Sequence, residues 1–368
     1  MARRVRLKLA KGLAVLFSDR GAALERFEEI AERGTRLPIV VFGPEGCGKT
    51  ALLRQASLLL EDHGYKVVYV NPNESSIDNA VQASSDIRGV VIEALRELVS
   101  TYLGDLAKAV AQLGLVAASR IARRLSKPRV AVLIDDVFQA IGLDRATVSS
   151  YLKSALNLIE YPEASYEKIV VVIATSEGVS RHEIGRHTWS YTYAMWNMPR
   201  DGFSELYGQV PGEKPGLDEA WRLTGGNPRL LGVLYENDWD AEKVTRLIMR
   251  SKNLVELVAE LDADEKQALL KAIEDPDYLW RNRRKYRHLV ERLVELNMIV
   301  DNLPDRSPDA WIDKSLPGKG PRARHRQIRG VANTPAQRST KKSPGAPQLI
   351  ISHCKVASQA RGHSEHSH

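Results

Sequence analysis

Apolar positions recur along the chain in two rhythms, and the switches between them mark the elements. Leu24, Phe27, Ile30 and Ala31 share one helical face, and residues 37–42 follow as a continuous apolar run that reads as a buried strand. After a glycine-rich turn, Leu52, Leu53, Ala56 and Leu59 fall on one side of a helix that Gly64 stops, ahead of a strand over 66–70. Residues 87–125 are rich in Ala and Leu and read as two or three helices, interrupted near Gly104 and Gly114 and ended by Pro128. Residues 129–134 form a continuous apolar strand closing on Asp135 and Asp136, 148–159 is helical, and 169–175 and 191–196 are the last strands. Strands that are apolar throughout and alternate with helices predict an α/β fold with a parallel sheet covered on both faces.

Beyond Pro199 the strand rhythm ceases. Helices are expected over 204–207, 217–223, 228–235, 241–260, 263–273 and 285–296, so a domain boundary is placed near residue 200. The Gly-Gly-Asn-Pro turn at 225–228 stops one helix and starts the next with proline.

Composition changes this picture in five places. A hydrophobic fraction of 43% over 368 residues is enough for two cores. The longest apolar runs are strand-sized, far below the roughly 20 residues of a membrane-spanning helix, so no membrane partner is expected. The basic start of the chain lacks an apolar h-region with a small-residue cleavage site, so export is not expected. Cys47 and Cys354 build neither a disulfide framework nor a metal site, which suits a reducing cytoplasm. The net charge of +7 is concentrated in the tail: residues 316–368 carry ten Lys/Arg and one acidic residue, leaving the remainder at about −2.

The chemistry begins at residues 43–50, Gly-Pro-Glu-Gly-Cys-Gly-Lys-Thr, placed between a buried strand and an amphipathic helix. Such a loop turns backbone N–H groups and a helix N-terminus toward a phosphate, and side chains at its glycines would hold that phosphate away. Gly43, Pro44, Glu45, Gly46, Cys47, Gly48, Lys49, Thr50 and Ala51 are the expected nucleotide-binding set. Lys49 is expected to reach the β- and γ-phosphates of ATP, and the Thr50 hydroxyl to hold Mg²⁺. Asp135, at the end of a neighbouring strand, is the expected metal-side carboxylate, with Asp136 as the candidate to activate water. Asp136 is one methylene shorter than the glutamate common at that place, which predicts slow hydrolysis. Thr175 and Ser176, after the next strand, are candidates to sense the γ-phosphate, with Glu177 a second candidate for water activation. A plain turn is the competing reading. Arg181 and Arg186 are candidate arginine fingers toward the nucleotide of their own or a neighbouring subunit, against a reading as surface ion pairs. His182 and His187, beside them, have no neighbours at metal-ligand spacing.

Residues 43–50, 134–138, 175–178, 185–187 and 225–229 together resemble the archaeal ATPase family, a branch of the AAA+/STAND group of P-loop proteins, over roughly residues 10–315. The resemblance implies a P-loop NTPase core with five parallel strands over residues 1–200, with a helical insertion at about 85–128. It further implies an α-helical lid over 201–260 and a winged-helix-like segment over 261–315. It also implies that the turn at 225–228 brings Pro228 and Arg229 to the nucleotide. The expected activity is Mg²⁺-dependent ATP hydrolysis in a conformational switch or motor, with a homo-oligomer or protein client as partner. The alternative is a nucleotide-gated DNA-binding protein. For it, Arg281, Arg283, Arg284, Lys285 and Arg287 would supply phosphate contacts at a basic helix start, against a reading as a solvated basic face.

From residue 316 the helical periodicity disappears into Pro, Gly, Ser, Arg and His, a disordered composition. Codons can be chosen for residues 322–339 so that the frame one base later reads as a strand followed by a helix. Translation in the wrong frame is therefore one reading of 316–368, and a native basic tail that binds nucleic acid is the other.

Overall fold

A computed structural model of the chain describes residues 3–176, 184, 188–275, 277–299 and 310–313. Two compact units are present. Of the described residues, the first holds those within 3–5, 20–196 and 310–313, and the second those within 6–19 and 197–299.

In the first unit the apolar runs become strands β3 (Ile39–Phe42), β4 (Lys66–Val70), β6 (Arg129–Asp135), β7 (Lys168–Thr175) and β8 (Tyr191–Ala194), all mutually parallel. These are the five parallel strands expected, and among the described residues a sixth, β5 (Val81–Ala83), joins them to give the order β5-β4-β6-β7-β3-β8. This strand runs antiparallel at the edge beside β4. Three residues are too few to show a period in the sequence, and only pairing to β4 orders them as a strand. Helices α1 (Gly21–Arg33) and α2 (Lys49–Asp62) bury most of the expected apolar positions, Phe27, Ile30 and Ala31 in the first and Leu52, Leu53 and Ala56 in the second, while Leu24 and Leu59 are half-buried and Ala23 and Leu60 are buried beside them. A short turn of helix, α3 (Ile77–Ala80), precedes β5.

The insertion before β6 holds α4 (Arg88–Thr101) and α5 (Leu106–Arg124). Gly104, in the left-handed region at φ +88, breaks the chain there as expected. Gly114 does not interrupt α5. It lets the helix settle onto the sheet, where an added Cβ would lie 2.8 Å from Val132 Cγ1. Val68, Val70, Val132 and Ile134 of the strands, Val91 of α4, and Leu113 and Ile121 of α5 share one core. Helix α6 (Val137–Ile141) and α7 (Arg145–Glu160) complete this cover, and Asp144 caps α7 by accepting from the Thr147 N–H at 3.0 Å.

The second unit begins with a hairpin absent from the expected elements, β1 (Arg6–Ala10) and β2 (Leu13–Leu16), antiparallel around Gly12. Its helices are α8 (Arg200–Gly208), α9 (Leu217–Thr224), α10 (Pro228–Glu236), α11 (Ala241–Ser251), α12 (Leu254–Glu260), α13 (Ala263–Glu274), α14 (Asp277–Arg281) and α15 (Arg287–Glu295). The expected single helix over 241–260 is two, broken where Asn253 takes φ +49. A winged helix is not borne out. Helices α13 and α15 are present, but Ile299, expected in a strand, lies outside any strand, and Val300 lies outside the described residues. Residues 314–368, the whole of the tail, also lie outside them. No helix among the described residues is long and apolar enough to cross a membrane.

Candidate functional site

The site grows out of the strand order. With β3 between β7 and β8, and β6 next beyond β7, the ends of three parallel strands converge beside the loop that leaves β3. Phe42, the last residue of β3, pairs with Thr175 of β7, and Ala174 pairs with Asp135 of β6. Crevices at the carboxyl ends of parallel strands are where such sheets bind ligands.

The loop over 43–50 leaves β3 and enters α2 at Lys49, after Gly46 at φ +79 and Gly48 at φ +104. These two left-handed turns let the backbone bend ahead of the helix N-terminus. Gly43 is required for a different reason from the one the sequence suggests. A Cβ there would stand 1.9 Å from the Met195 carbonyl oxygen, so Gly43 lets the loop pass under the end of β8. Lys49 is buried, and its Nζ donates to the carbonyls of Gly43 at 2.9 Å and Pro44 at 3.0 Å, with Cys47 Sγ at 3.8 Å. A charged amine held on loop carbonyls can exchange them for phosphate oxygens at little desolvation cost. Cys47 is fully buried.

Asp135 is fully buried. Its Oδ2 accepts from the Tyr69 hydroxyl at 3.0 Å and from Asn71 Nδ2 at 3.4 Å, while Oδ1 has no hydrogen-bond partner. Burial, reinforced by the charge of Asp136, pushes its carboxyl up to about 6, against the pull of Thr50, Tyr69 and Lys49. A buried carboxylate oxygen without a donor, next to a threonine hydroxyl, suits a hard divalent cation, which takes oxygen ligands and favours the charged form. Thr50 and Asp135 therefore fit Mg²⁺. The same carboxylate, with burial as the larger cause, raises the Tyr69 phenol well above its ordinary value.

Asp136 takes the left-handed conformation at φ +46 ahead of α6. Its Oδ1 accepts from the backbone N–H of Ser176 at 3.2 Å and from the Ser176 hydroxyl at 3.1 Å, and its carbonyl accepts from Asn73 Nδ2 at 2.7 Å. Asp136, Ser176 and buried Thr175 are thus together at the strand tips. Glu177, Arg181, Arg186, His182 and His187 lie outside the described residues.

Pro228 and Arg229 open α10 in the second unit. The turn before them is tightly built. Gly225 (φ +58) and Gly226 (φ +76) end α9, Gly226 O accepts from Met198 N at 2.9 Å, and Asn227 Oδ1 caps α10 by accepting from Leu230 N at 3.1 Å. Of the basic cluster in the same unit, Arg281 pairs with Asp275, Lys285 with Asp264 at 2.7 Å, and Arg287 with Glu291 at 2.7 Å.

One site-supporting residue carries no sequence signal. Arg20 is 3% exposed and sits at φ +66 in front of α1, following Asp19 at φ +63. Two consecutive left-handed non-glycine residues cost about 1–2 kcal/mol each. The bend turns the guanidinium inward. Nη2 donates to the carbonyls of Cys47 at 2.7 Å and Trp196 at 2.8 Å, and Nη1 meets Asp313 Oδ2 at 3.2 Å. Asp313 belongs to a short segment lying beside β8, where Trp311 bridges Ala194 in parallel and Ile312 N donates to Ala194 O at 3.0 Å.

Among solved structures the chain is similar to DnaA from Aquifex aeolicus bound to AMPPCP, at 16% identity and a TM-score of 0.36, covering 75% of this chain and 82% of that one. It is similar to the replication initiator DnaA bound to AMPPCP and single-stranded DNA, at 14% identity and 0.36, covering 78% and 85%. It is also similar to the Aeropyrum pernix ORC2 protein in ADPNP and ADP complexes, at 11% identity and 0.39, covering 91% and 94%. Scores this low carry no functional inference. No curated protein matches the chain. The profile of an ATPase domain predominantly from Archaea, however, matches residues 17–234, more than half of the sequence and the whole of the loop, carboxylate and turn motifs. The chain therefore belongs to this predominantly archaeal ATPase family.

Proposed function

We propose that the chain binds ATP with Mg²⁺ at the 43–50 loop and hydrolyses it slowly, using the nucleotide state as a conformational switch. One juxtaposition carries this reading: a lysine held on the carbonyls of its own phosphate loop, near enough for its charge to act on a fully buried carboxylate that has one unpartnered oxygen. In this reading Lys49 leaves the Gly43 and Pro44 carbonyls for the β- and γ-phosphate oxygens, and the N-terminus of α2 adds its free N–H groups. Thr50 and Asp135 hold the metal, whose charge offsets that of the transferring phosphoryl group. Asp136, or Glu177, orients a water whose oxygen bonds to the γ-phosphorus as the bond from phosphorus to the β–γ bridging oxygen breaks, giving ADP and phosphate. Thr175 and Ser176 are the proposed γ-phosphate sensors. Arg181 and Arg186 are proposed fingers, and Pro228 and Arg229 proposed nucleotide contacts of the helical unit; for these four the support is the family resemblance alone.

Asp136 is tied to Ser176 and lacks the reach of a glutamate, which supports slow turnover. The DNA-reading alternative has less support, because three of the five basic residues it would use are already ion-paired within their own unit. The test is ATP·Mg²⁺ affinity by calorimetry and hydrolysis by phosphate release, for the unaltered chain and for Lys49→Ala. Losing a charge-assisted hydrogen bond of about 1.5–3 kcal/mol should weaken binding at least roughly tenfold. A folded Lys49→Ala chain with undiminished affinity refutes the reading.

A further inference from the structure

We propose that Arg20 is a positioning residue for the phosphate loop, and that its partner Asp313 couples the nucleotide site to the docking of the 310–313 segment beside β8. The inference rests on the reading of residues 43–50 as a nucleotide site. Three observations carry it. The guanidinium reaches the loop at the Cys47 carbonyl, between Gly46 and Gly48, where the backbone turns toward the helix N-terminus. It reaches the end of β8 at the Trp196 carbonyl with the same nitrogen. Its remaining edge is neutralised by an aspartate 293 residues away in the sequence, and both side chains of that pair are only 4% exposed.

A buried guanidinium on backbone carbonyls alone would leave a charge without a counter-ion, which is strongly unfavourable. Asp313 removes that difficulty only while the segment carrying it is docked. That docking is itself specific: Ile312 is fully buried and its N–H donates to Ala194 O, one residue from the Met195 carbonyl that occupies the space a side chain at Gly43 would need. A segment near residue 313 and a loop near residue 47 thus share one side chain. Any difference in loop geometry between the free and nucleotide-bound chain is felt by the segment, and by reciprocity segment docking alters nucleotide affinity.

The first measurement needs no substitution. Hydrogen exchange of the peptide containing the Ile312 amide is followed in the full chain with and without saturating ATP and Mg²⁺, with binding verified separately by calorimetry. Exchange should slow several-fold on binding. A second measurement uses the double variant Arg20→Met/Asp313→Leu, which deletes both charges and so avoids stranding one of them. It should keep a melting temperature near that of the unaltered chain while binding ATP roughly 5- to 150-fold more weakly, the usual span of a coupling between sites. The nucleotide dependence of Ile312 exchange should also vanish, which the loss of a merely structural pair would not cause. Ile312 exchange indifferent to bound nucleotide overturns the coupling. So does a double variant with unchanged affinity. A chain that binds no nucleotide at all overturns the reading of the loop and this inference with it.

Discussion

Asp135→Asn separates what the site costs the free protein from what it does for the ligand. With its carboxyl pushed up to about 6 by burial and by Asp136, against an ordinary 3.8, the free folded chain resists ionising this group. Because the folded value is raised, the folded state is favoured while Asp135 stays protonated, below about pH 4, and loses that advantage as pH rises through 6. Roughly two pKa units at about 1.36 kcal/mol each give a penalty of about 3 kcal/mol above pH 7. Asparagine keeps an oxygen to accept from Tyr69 and Asn71 but puts an NH₂ where Oδ1 now stands without a partner, costing about 1–2 kcal/mol of the gain. The unliganded variant should therefore be more stable than the natural chain by about 1–2 kcal/mol at pH 8, roughly 2–8 °C in Tm. The difference should shrink steadily toward pH 4. With saturating ATP·Mg²⁺ the order should reverse, since a ligand at about 100 times its Kd contributes roughly 2.7 kcal/mol to the natural chain and much less to a variant lacking the metal-side charge. Urea and thermal unfolding across pH 4–8, with and without ATP·Mg²⁺, measure both effects. A stability difference that is flat with pH, or negative at pH 8, refutes the assignment of a strained, metal-awaiting carboxylate.

Two further outcomes follow from the same geometry. Asp136→Glu should raise single-turnover hydrolysis by carrying the carboxylate about 1.5 Å farther while ATP affinity stays constant; no change moves water activation to Glu177, and Glu177→Gln should then be the damaging substitution. Gly43→Ala should destabilise the chain by about 1–3 kcal/mol in urea unfolding, because its Cβ would stand 1.9 Å from the Met195 carbonyl oxygen; a variant as stable as the natural chain would show that the contact is not tight.

The residues of the site were legible where a local pattern carries the information. Strands β3, β4, β6 and β7 are buried on both faces and so read as apolar throughout, and the 43–50 loop carries its chemistry in eight consecutive residues. Asp135 could be singled out because it closes a continuous apolar strand, where the next residue leaves the sheet at its carboxyl end. Periodicity reports which face of an element is buried, not against what. It therefore gave no hint that Gly114 lets α5 lie against Val132, that β5 joins the edge, or that residues 6–16 pair as a hairpin. The order of strands, which sets β7 between the loop strand and the carboxylate strand, was decided by the packed sheet. So was the reason for Gly43, which answers to a carbonyl 152 residues downstream rather than to a phosphate. Arg20 is the extreme case. Its neighbours in sequence are polar or small, yet a left-handed backbone turns it into the interior, where two carbonyls and Asp313 await it. A charge is buried only where distant groups neutralise it, and the distance along the chain between those groups is a property of the tertiary structure alone.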